Sequence, residues 1–252
     1  MEIRSYAKVN IFLKIVGKRG NYHEIASRFV KVNSLFDTIW FTKNKDKKFD
    51  LKGNFSCPLE KNTIYKAYLE LTKINQLAND FFETYSIEID KKIPEFAGLG
   101  GGSSNAAAIL NFTNQHLGLG LSKDELGKIG AKIGADVPFF VYDFNSANVS
   151  GIGEIVTNFE EESLEIETFT PQIKCETKQV FEQFRLNFYK EFPQNDQKKL
   201  FELSSKEIFA TFDAKFANDL FEPALMANPK LQEFAQDGWF FSGSGSSFFR
   251  IK

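Results

Sequence analysis

Few residues of this sequence can bind a soft metal ion. There are two cysteines, Cys57 and Cys175, far apart along the chain, and His23 and His116 are the only histidines. Zinc sites place cysteine and histidine ligands at short, regular spacings, and no such spacing is present. The pattern therefore excludes a zinc site, and a metal ion, if the protein uses one, would have oxygen ligands.

The sequence has no excess of positive charge. Lysine and arginine number 31 against 33 aspartates and glutamates, which gives a formal net charge of −2. Nucleic acids and anionic membranes attract proteins through a broad basic surface, so neither is expected as a partner. Any anionic ligand must be bound by a local arrangement of groups.

Long apolar segments are also absent. No stretch approaches the roughly 20 apolar residues of a membrane-spanning helix, and residues 1–8 lack the apolar core of a signal peptide. We therefore expect a cytoplasmic protein. The composition, with 42% hydrophobic and 25% charged residues in 252, is that of a globular protein, and the 29 phenylalanines predict an aromatic core.

Hydrophobic periodicity predicts a mixture of strands and helices. Two strands, 3–15 and 29–41, are followed by a charged segment, 43–52, which we interpret as a solvated hairpin. Helical spacing of apolar residues then predicts a helix over 63–77, and alternation predicts a strand over 85–90.

The second half contains fewer clear signals. A capping box at Ser122–Glu125 predicts the start of a helix that ends at Gly134, and two strands are expected around the small residues of 242–246. The composition of the sequence changes beyond Gly153. We therefore predict two domains, residues 1–153 and 154–252.

A glycine-rich segment is the densest signal in the chain. Gly98-Leu99-Gly100-Gly101-Gly102-Ser103-Ser104-Asn105 leads into an alanine-rich helix that is predicted over 106–117. A helix N-terminus exposes unpaired N–H groups and carries about half a positive charge, and glycine lets phosphate oxygens approach these groups. A flexible linker is the alternative interpretation, but the direct continuation into a helix favours a phosphate site.

Three well-known nucleotide motifs do not fit this loop. Ser103 follows the last glycine, where a Walker A loop needs lysine and a dinucleotide-binding fingerprint needs its third glycine. The protein-kinase glycine loop requires His-Arg-Asp and Asp-Phe-Gly motifs later in the chain, and these are missing. A different class of kinase is needed.

Residues 94–107 resemble the phosphate-binding motif of the GHMP kinases, which phosphorylate small molecules. Two further segments resemble that superfamily, namely Ala7–Leu13 near the start and Phe241–Ser246 near the end. The resemblance implies an α+β fold with two domains: an N-terminal ATP-binding domain like ribosomal protein S5 domain 2 and a ferredoxin-like C-terminal domain. It weakens over 154–238, where only Asn218-Asp219 and Glu222-Pro223 look familiar, and no role is carried over to Glu222.

The resemblance implies a general base and a lysine beside it. Asp136 would accept the proton of the substrate hydroxyl, although an aspartate in a turn is also a common cap. Pro138 favours extended geometry at Val137 and so a turn that presents this carboxylate. Lys8, in an apolar strand, is costly to bury unless it faces a carboxylate or phosphate, with a lysine on an edge strand as the alternative.

Other residues are assigned to the two substrates. Asn10 shares a strand face with Lys8 and could hold the acceptor, and Tyr22 and His23 resemble a pair that binds cytosine, although an isolated histidine more often packs or lies on the surface. The ATP-binding residues implied by the resemblance are Asn62, Lys91, Pro94, Gly98, Leu99, Gly100, Gly101, Gly102, Ser103, Ser104 and Asn105. Lys91 could instead be solvated, and Ser103 and Ser104 could cap the helix, reach Mg²⁺, or do both.

Three segments resemble one particular branch of the superfamily. The triple glycine, Gly20–Glu24 and Gly134–Phe140 are similar to the branch that uses ATP and Mg²⁺ to phosphorylate the 2-hydroxyl of a cytidine diphosphate-linked sugar alcohol, in the non-mevalonate route to isoprenoid precursors. Another GHMP kinase, acting on homoserine, mevalonate or a sugar, is the alternative. A nucleotide-binding regulator without catalysis is a third possibility, which the presence of both Lys8 and Asp136 disfavours.

Overall fold

The computed structural model describes residues 1–190 and 192–252, and its helices and strands confirm the predicted α+β class. The strands are β1 (Glu2–Arg19), β2 (Tyr22–Lys43), β3 (Leu51–Lys52), β4 (Tyr85–Asp90), β5 (Ser146–Ser150), β6 (Ile155–Asn158), β7 (Ile166–Phe169), β8 (Phe240–Phe241) and β9 (Phe248–Ile251). The α-helices are α1 (Thr63–Ile74), α2 (Gln76–Thr84), α3 (Gly101–Leu117), α4 (Lys123–Ile133), α5 (Val137–Tyr142), α6 (Thr177–Gln183), α7 (Gln194–Glu202), α8 (Ser205–Thr211), α9 (Ala214–Ala217) and α10 (Phe221–Ala227).

The described residues divide into two compact units. The first unit combines Met1–Ala7, Leu35–Ile93 and Gly101–Asp143, and the second combines Lys8–Ser34, Pro94–Gly100 and Phe144–Lys252. The predicted division into residues 1–153 and 154–252 stays a prediction. None of the helices in the described ranges has the length and hydrophobicity that a membrane crossing requires.

The first unit contains the end of β2 with β3 and β4, together with α1–α5. Here β4 pairs antiparallel with the end of β2, from Thr38↔Asp90 to Lys43↔Tyr85, and parallel with β3. Helices α4 and α5 pack so closely that a Cβ on Gly130 would lie 2.8 Å from Val137 Cγ1. Apolar side chains of the sheet and helices form the core, which buries Ile39, Phe41, Ile64, Leu71, Phe82, Ile87, Ile109 and Leu110.

The second unit contains parts of β1 and β2, the strands β5–β9 and the helices α6–α10. The start of β2 pairs antiparallel with β5, which pairs with β6, and a separate sheet has the order β7-β9-β8. The turn between β1 and β2 uses Gly20 with a φ of +59°, a conformation that glycine adopts without strain. Many of the phenylalanines lie in the core, as the composition predicts, including Phe12, Phe29, Phe184, Phe221, Phe241, Phe248 and Phe249.

The predicted helix over 63–77 is wrong in its length, because two helices occupy this region. Asn75 adopts an extended backbone conformation, and its side chain accepts a hydrogen bond from the backbone N–H of Leu77. An asparagine in this role satisfies one of the free N–H groups of the following helix. The apolar spacing therefore continues across a helix boundary, and Ile74 is 46% exposed.

The charged segment 43–52 does not form the predicted hairpin. Residues 45–48 are exposed, as expected, but β3 pairs in parallel with β4 rather than returning along β2. A parallel partner comes from a later part of the chain, so the local charge pattern carries no information about it.

Two other boundaries differ from the predictions. Helix α3 begins at Gly101, five residues before the predicted start, so the last two glycines of the loop form its first turn. Val137 is helical rather than extended, because Pro138 lies in the first turn of α5, where the missing N–H of proline costs nothing. The capping box at Ser122, the end of α4 at Gly134 and the strands flanking 242–246 are confirmed.

Candidate active site

The glycine-rich loop adopts a conformation that requires glycine before it enters α3. Gly98 and Gly100 have φ values of +75° and +71°. A Cβ on Gly98 would overlap the carbonyl oxygen of Ser242, and the Ser242 hydroxyl donates a hydrogen bond to the Gly98 carbonyl at 3.0 Å. The glycine-rich segment and the segment Phe241–Ser246 therefore meet within the second unit. Leu99 anchors the loop, since it is buried and its carbonyl accepts a hydrogen bond from the Lys8 N–H.

The start of α3 packs tightly against its neighbours in the first unit. A Cβ on Gly101 would lie 2.8 Å from Ile93 Cγ2, and the Thr63 hydroxyl donates a hydrogen bond to the Gly102 carbonyl at 2.6 Å. The first N–H groups of a helix lack partners within the helix. Because the first turn is formed by glycine and serine, these groups are not covered by large side chains of that turn.

Asp136 follows a glycine that lies near this helix start. A Cβ on Gly134 would be 3.6 Å from Ser103 Oγ, so the turn between α4 and α5 packs beside the first turn of α3. Asp136 occupies the position before α5, with φ −83° and ψ −10°, and its side chain makes no capping hydrogen bond to that helix. The structure thus places the predicted base and the predicted phosphate-binding serines in one region of the first unit.

Lys8 and Asn10 lie on the same face of β1, as the strand periodicity predicts. Lys8 is 3% exposed, and its ammonium donates hydrogen bonds to Asn10 Oδ1 at 2.7 Å and to the Gly98 carbonyl at 3.1 Å. Asn10 is fixed in turn by the Ser27 hydroxyl, 3.0 Å from its Nδ2. The lysine is therefore attached to the glycine-rich loop, and its predicted proximity to Asp136 stays a prediction.

Tyr22 and His23 differ in their exposure to solvent. Tyr22 is 65% exposed, whereas His23 is 8% exposed and stacks on Phe181 with ring centroids 5.1 Å apart. Burial lowers the pKa of His23, and the positive charges of Arg185 and Lys18 lower it further. The imidazole is therefore neutral at pH 7, and its buried Nε2 has no hydrogen-bond partner among the residues that the structure describes.

Phe181 was not identified from the sequence. It lies on α6, in the part of the chain without recognisable motifs, and only the fold brings it against His23. A buried polar atom without a partner costs free energy unless water or a ligand satisfies it. The Nε2 atom of His23 is thus a candidate ligand contact. The exposed ring of Tyr22 precedes it in the sequence.

Three residues that are predicted to contact the nucleotide form hydrogen bonds within the protein. The side chain of Asn62 accepts a hydrogen bond from the Ile64 N–H and caps α1. Lys91 is not solvated, because its ammonium pairs with Asp37 and donates to Asn105 Oδ1 at 2.8 Å. The roles of these residues toward ATP stay predictions, and Asp37 is a second residue that sequence reasoning missed.

The predicted site residues are distributed over both units. Asn62, Lys91, Gly101, Gly102, Ser103, Ser104, Asn105 and Asp136 belong to the first unit, and Lys8, Asn10, Tyr22, His23, Pro94, Gly98, Leu99 and Gly100 belong to the second. Within the described residues, no cluster of three or more histidine, cysteine, aspartate or glutamate side chains could hold a metal ion.

Comparison with known proteins assigns the chain to a family. Residues 62–144 match the model of the GHMP kinases N terminal domain. The chain is 51% identical to the 4-diphosphocytidyl-2-C-methyl-D-erythritol kinase of Sulfurimonas denitrificans, over 99% of this chain and 96% of that protein. It is 44% identical to the enzyme of the same name from a Sulfurovum species, over 99% and 98% of the two chains.

Solved structures agree with this similarity. A crystal structure of 4-(cytidine 5'-diphospho)-2C-methyl-D-erythritol kinase is 27% identical, with a TM-score of 0.73 over 100% of this chain and 90% of the other. A crystal structure of mevalonate kinase has a TM-score of 0.65 at 16% identity, with coverage of 100% and 91%, and shows the fold alone. The predicted GHMP kinase fold is confirmed.

Proposed function

The chain belongs to the 4-diphosphocytidyl-2-C-methyl-D-erythritol kinases of the GHMP superfamily, and we propose that it uses ATP to phosphorylate the 2-hydroxyl of 4-diphosphocytidyl-2-C-methyl-D-erythritol. The observation that carries this conclusion is 51% identity over 99% of the chain to a relative of that name. The enzyme is thus a phosphotransferase with an alcohol as acceptor, in the non-mevalonate route to isoprenoid precursors.

The glycine-rich loop and the first turn of α3 bind the phosphates of ATP. Glycine at Gly101 and Gly102 leaves the N–H groups at the helix start accessible to phosphate oxygens, and the positive end of the helix dipole favours their charge. Pro94, Gly98, Leu99 and Gly100 shape the approach to this turn. Asn62, Lys91 and Asn105 belong to the adenosine side of the same site.

The donor set fits a Mg²⁺ ion that is bound mainly through ATP. Mg²⁺ keeps several water ligands and takes few protein ligands when phosphates are present, so it does not need the cluster of three metal-binding side chains that the described residues lack. The hydroxyls of Ser103 and Ser104, in the first turn of α3, are the protein groups that would reach it. The ion would shield negative charge on the β- and γ-phosphates.

Asp136 acts as the general base and Lys8 stabilises negative charge. During transfer, the 2-hydroxyl oxygen forms a bond to the γ-phosphorus, the bond to the ADP oxygen breaks, and Asp136 takes the hydroxyl proton. The ammonium of Lys8, fixed by Asn10 and the Gly98 carbonyl, interacts with the transferring group or with the carboxylate. Asn10 also holds the acceptor in position.

Tyr22 and His23 bind the cytosine, and Phe181 positions His23. The exposed ring of Tyr22 offers a stacking surface, and Nε2 of neutral His23 is available for a hydrogen bond to the base. Phe181 holds the imidazole plane by stacking on it. These contacts distinguish a cytidine-bearing acceptor from homoserine, mevalonate or a free sugar.

The small molecules are the only partners that this function requires. The balanced net charge of −2 provides no basic surface for nucleic acid. The enzyme works in the cytoplasm, where ATP is available.

A panel of acceptors tests the proposed function. The purified protein is incubated with ATP and Mg²⁺ and with the cytidylylated methylerythritol, homoserine, mevalonate or galactose, and ADP formation is followed. Turnover is expected with the cytidylylated acceptor and at most background with the others. Turnover on homoserine or mevalonate alone would overturn the assignment of the acceptor.

A further inference from the structure

Asp37 lies in β2 at the point where its pairing with β4 ends. The last paired residues are Thr38 and Asp90, so Asp37 is next to the residues that leave the sheet toward the glycine-rich loop. Its side chain is completely buried. A buried carboxylate is costly unless charged and hydrogen-bonding partners compensate it, and here it is surrounded by them.

One oxygen of this carboxylate holds the backbone that follows β4. Asp37 Oδ1 accepts hydrogen bonds from the N–H groups of Lys92 at 2.7 Å and of Ile93 at 2.8 Å. These residues lie outside any strand, so a side chain supplies the acceptors that a neighbouring strand would otherwise supply. The connection is therefore fixed although the sheet has ended.

The other oxygen holds two predicted nucleotide-binding side chains. Asp37 Oδ2 pairs with the ammonium of Lys91 and accepts a hydrogen bond from Asn105 Nδ2 at 2.8 Å. Asn105 Oδ1 accepts from Lys91 at 2.8 Å, and Asn105 Nδ2 also donates to the Ser5 hydroxyl at 2.6 Å. Asp37 thus joins the connection after β4 to the second turn of α3.

The first residue of α3 rests on the groups that Asp37 fixes. A Cβ on Gly101 would lie 2.8 Å from Ile93 Cγ2 and 3.4 Å from Lys91 Nζ. Any movement of Ile93 or Lys91 would therefore change the packing of the glycine at the helix start. The phosphate-binding turn depends on the position of these two residues.

We propose that Asp37 is a positioning residue for ATP, which sets both the start of α3 and the direction of the Lys91 and Asn105 side chains. This inference rests on the proposed function, because it takes the first turn of α3 as the phosphate site. Asp37 touches no reacting atom, so its removal weakens nucleotide binding rather than the chemical step. Binding of the cytidine acceptor is unaffected.

Asp37→Asn tests this role. An amide keeps one acceptor oxygen for Lys92 and Ile93, but its NH₂ group would face the donors of Lys91 and Asn105. We expect the dissociation constant of ATP, measured by calorimetry without the acceptor, to rise about tenfold, which corresponds to about 1.4 kcal/mol. KM for ATP rises in parallel, while KM for the acceptor changes less than about twofold.

Asp90→Asn is the matched control. Asp90 is a neighbouring acid whose partner, Lys92 Nζ at 3.2 Å, is exposed, and it contacts neither Lys91 nor Asn105 in the described network. ATP affinity should be unchanged in this variant. An Asp37→Asn protein that binds ATP as tightly as wild type, with only a lowered melting temperature, would overturn the proposal and leave Asp37 a purely structural residue.

Amide hydrogen exchange of the wild-type protein tests the same idea if the variant does not fold. The N–H groups of Lys92 and Ile93 should exchange slowly despite lying outside the sheet, and ATP should slow the exchange of 101–105. Exchange of Lys92 and Ile93 at the rate of an open loop would overturn the proposal. Both measurements use ATP alone, so a wrong acceptor in the proposed function would leave them interpretable.

Discussion

Asp136 has the position of a helix cap without the hydrogen bond of one. Aspartate before a helix usually accepts a bond from an N–H of the first turn, yet this carboxylate makes no such bond to α5. We predict that Asp136→Asn lowers kcat by about 10²–10⁴-fold, because the amide cannot accept the hydroxyl proton. The affinity for ATP should stay near wild type, since the proposed role of Asp136 is toward the acceptor hydroxyl.

Asp124→Asn provides the control for this variant. Asp124 lies on α4 and accepts a hydrogen bond from the Tyr142 hydroxyl at 2.8 Å, so the same change is made at an acid with no proposed role in the reaction. Its kcat should be unaffected. Equal turnover of Asp136→Asn and Asp124→Asn would remove Asp136 from the mechanism.

Tyr22 is predicted to take part in recognition of the acceptor. Its ring is 65% exposed, so truncation removes little packing and mainly removes a surface for the base. A stacked base is worth about 1–3 kcal/mol, so Tyr22→Ala should weaken binding of the cytidylylated acceptor about tenfold or more. Titration with the acceptor measures this, and a parallel titration with ATP should show no change.

Phe169→Ala is a suitable comparison for Tyr22→Ala. Phe169 is 43% exposed, lies on β7 and packs against Phe234 and Trp239, far in sequence from the predicted base-binding residues. Acceptor affinity should be normal in this variant. If Tyr22→Ala weakened ATP and spared the acceptor, the two nucleotide sites would have been assigned the wrong way round.

Single residues were predictable where the local pattern determines them. The shared face of Lys8 and Asn10 follows from the two-residue period of a strand, and their hydrogen bond confirms it. Asp37 and Phe181 were not predictable, because their partners lie more than fifty residues away. The context of an isolated aspartate or phenylalanine does not reveal such partners.

At the scale of elements, the glycine-rich loop depends on close packing as well as on backbone conformation. Gly98 and Gly120 have nearly the same φ, +75° and +73°, but a Cβ on Gly98 would overlap the Ser242 carbonyl while one on Gly120 would have nothing within 4 Å. Gly120→Ala should therefore cost only the left-handed strain of about 1–2 kcal/mol. Gly98→Ala should lose considerably more stability and also weaken ATP binding.

Urea unfolding of the two glycine variants separates these effects. The difference between their midpoints reports the contact with Ser242, since the backbone strain is common to both. Equal midpoints and equal ATP affinities would show that the loop moves away from Ser242 without consequence, and that the close approach is not needed for the phosphate site.

Elements were predictable where start and stop signals lie within a few residues of each other. Strand β4 has the predicted bounds, and the capping box of α4 is formed by Ser122 and Glu125. The helix over 63–77 was wrong because Asn75 ends one helix and caps the next, which apolar spacing alone does not show. The start of α3 was placed late because glycine is a poor helix former, and tertiary packing overrides this preference.

At the scale of the whole molecule, the compact units do not follow the order of residues along the chain. Each unit combines three separate segments, and β1 and β2 contribute residues to both. The domain boundary predicted near Gly153 stays a prediction. The class and the GHMP fold could be predicted because the motifs are specific, whereas the grouping of segments depends on contacts distant in sequence.

The position of the transferred phosphoryl group is the most direct test of the central claim. The protein is incubated with ATP, Mg²⁺ and 4-diphosphocytidyl-2-C-methyl-D-erythritol, and the products are followed by ³¹P NMR. We predict one new phosphomonoester resonance without three-bond coupling to a proton, because carbon 2 of the methylerythritol carries a methyl group and no hydrogen, in a 1:1 ratio with ADP and with the cytidine diphosphate linkage intact. Release of CMP or inorganic phosphate in place of that monoester, or a monoester at another hydroxyl, would contradict the account.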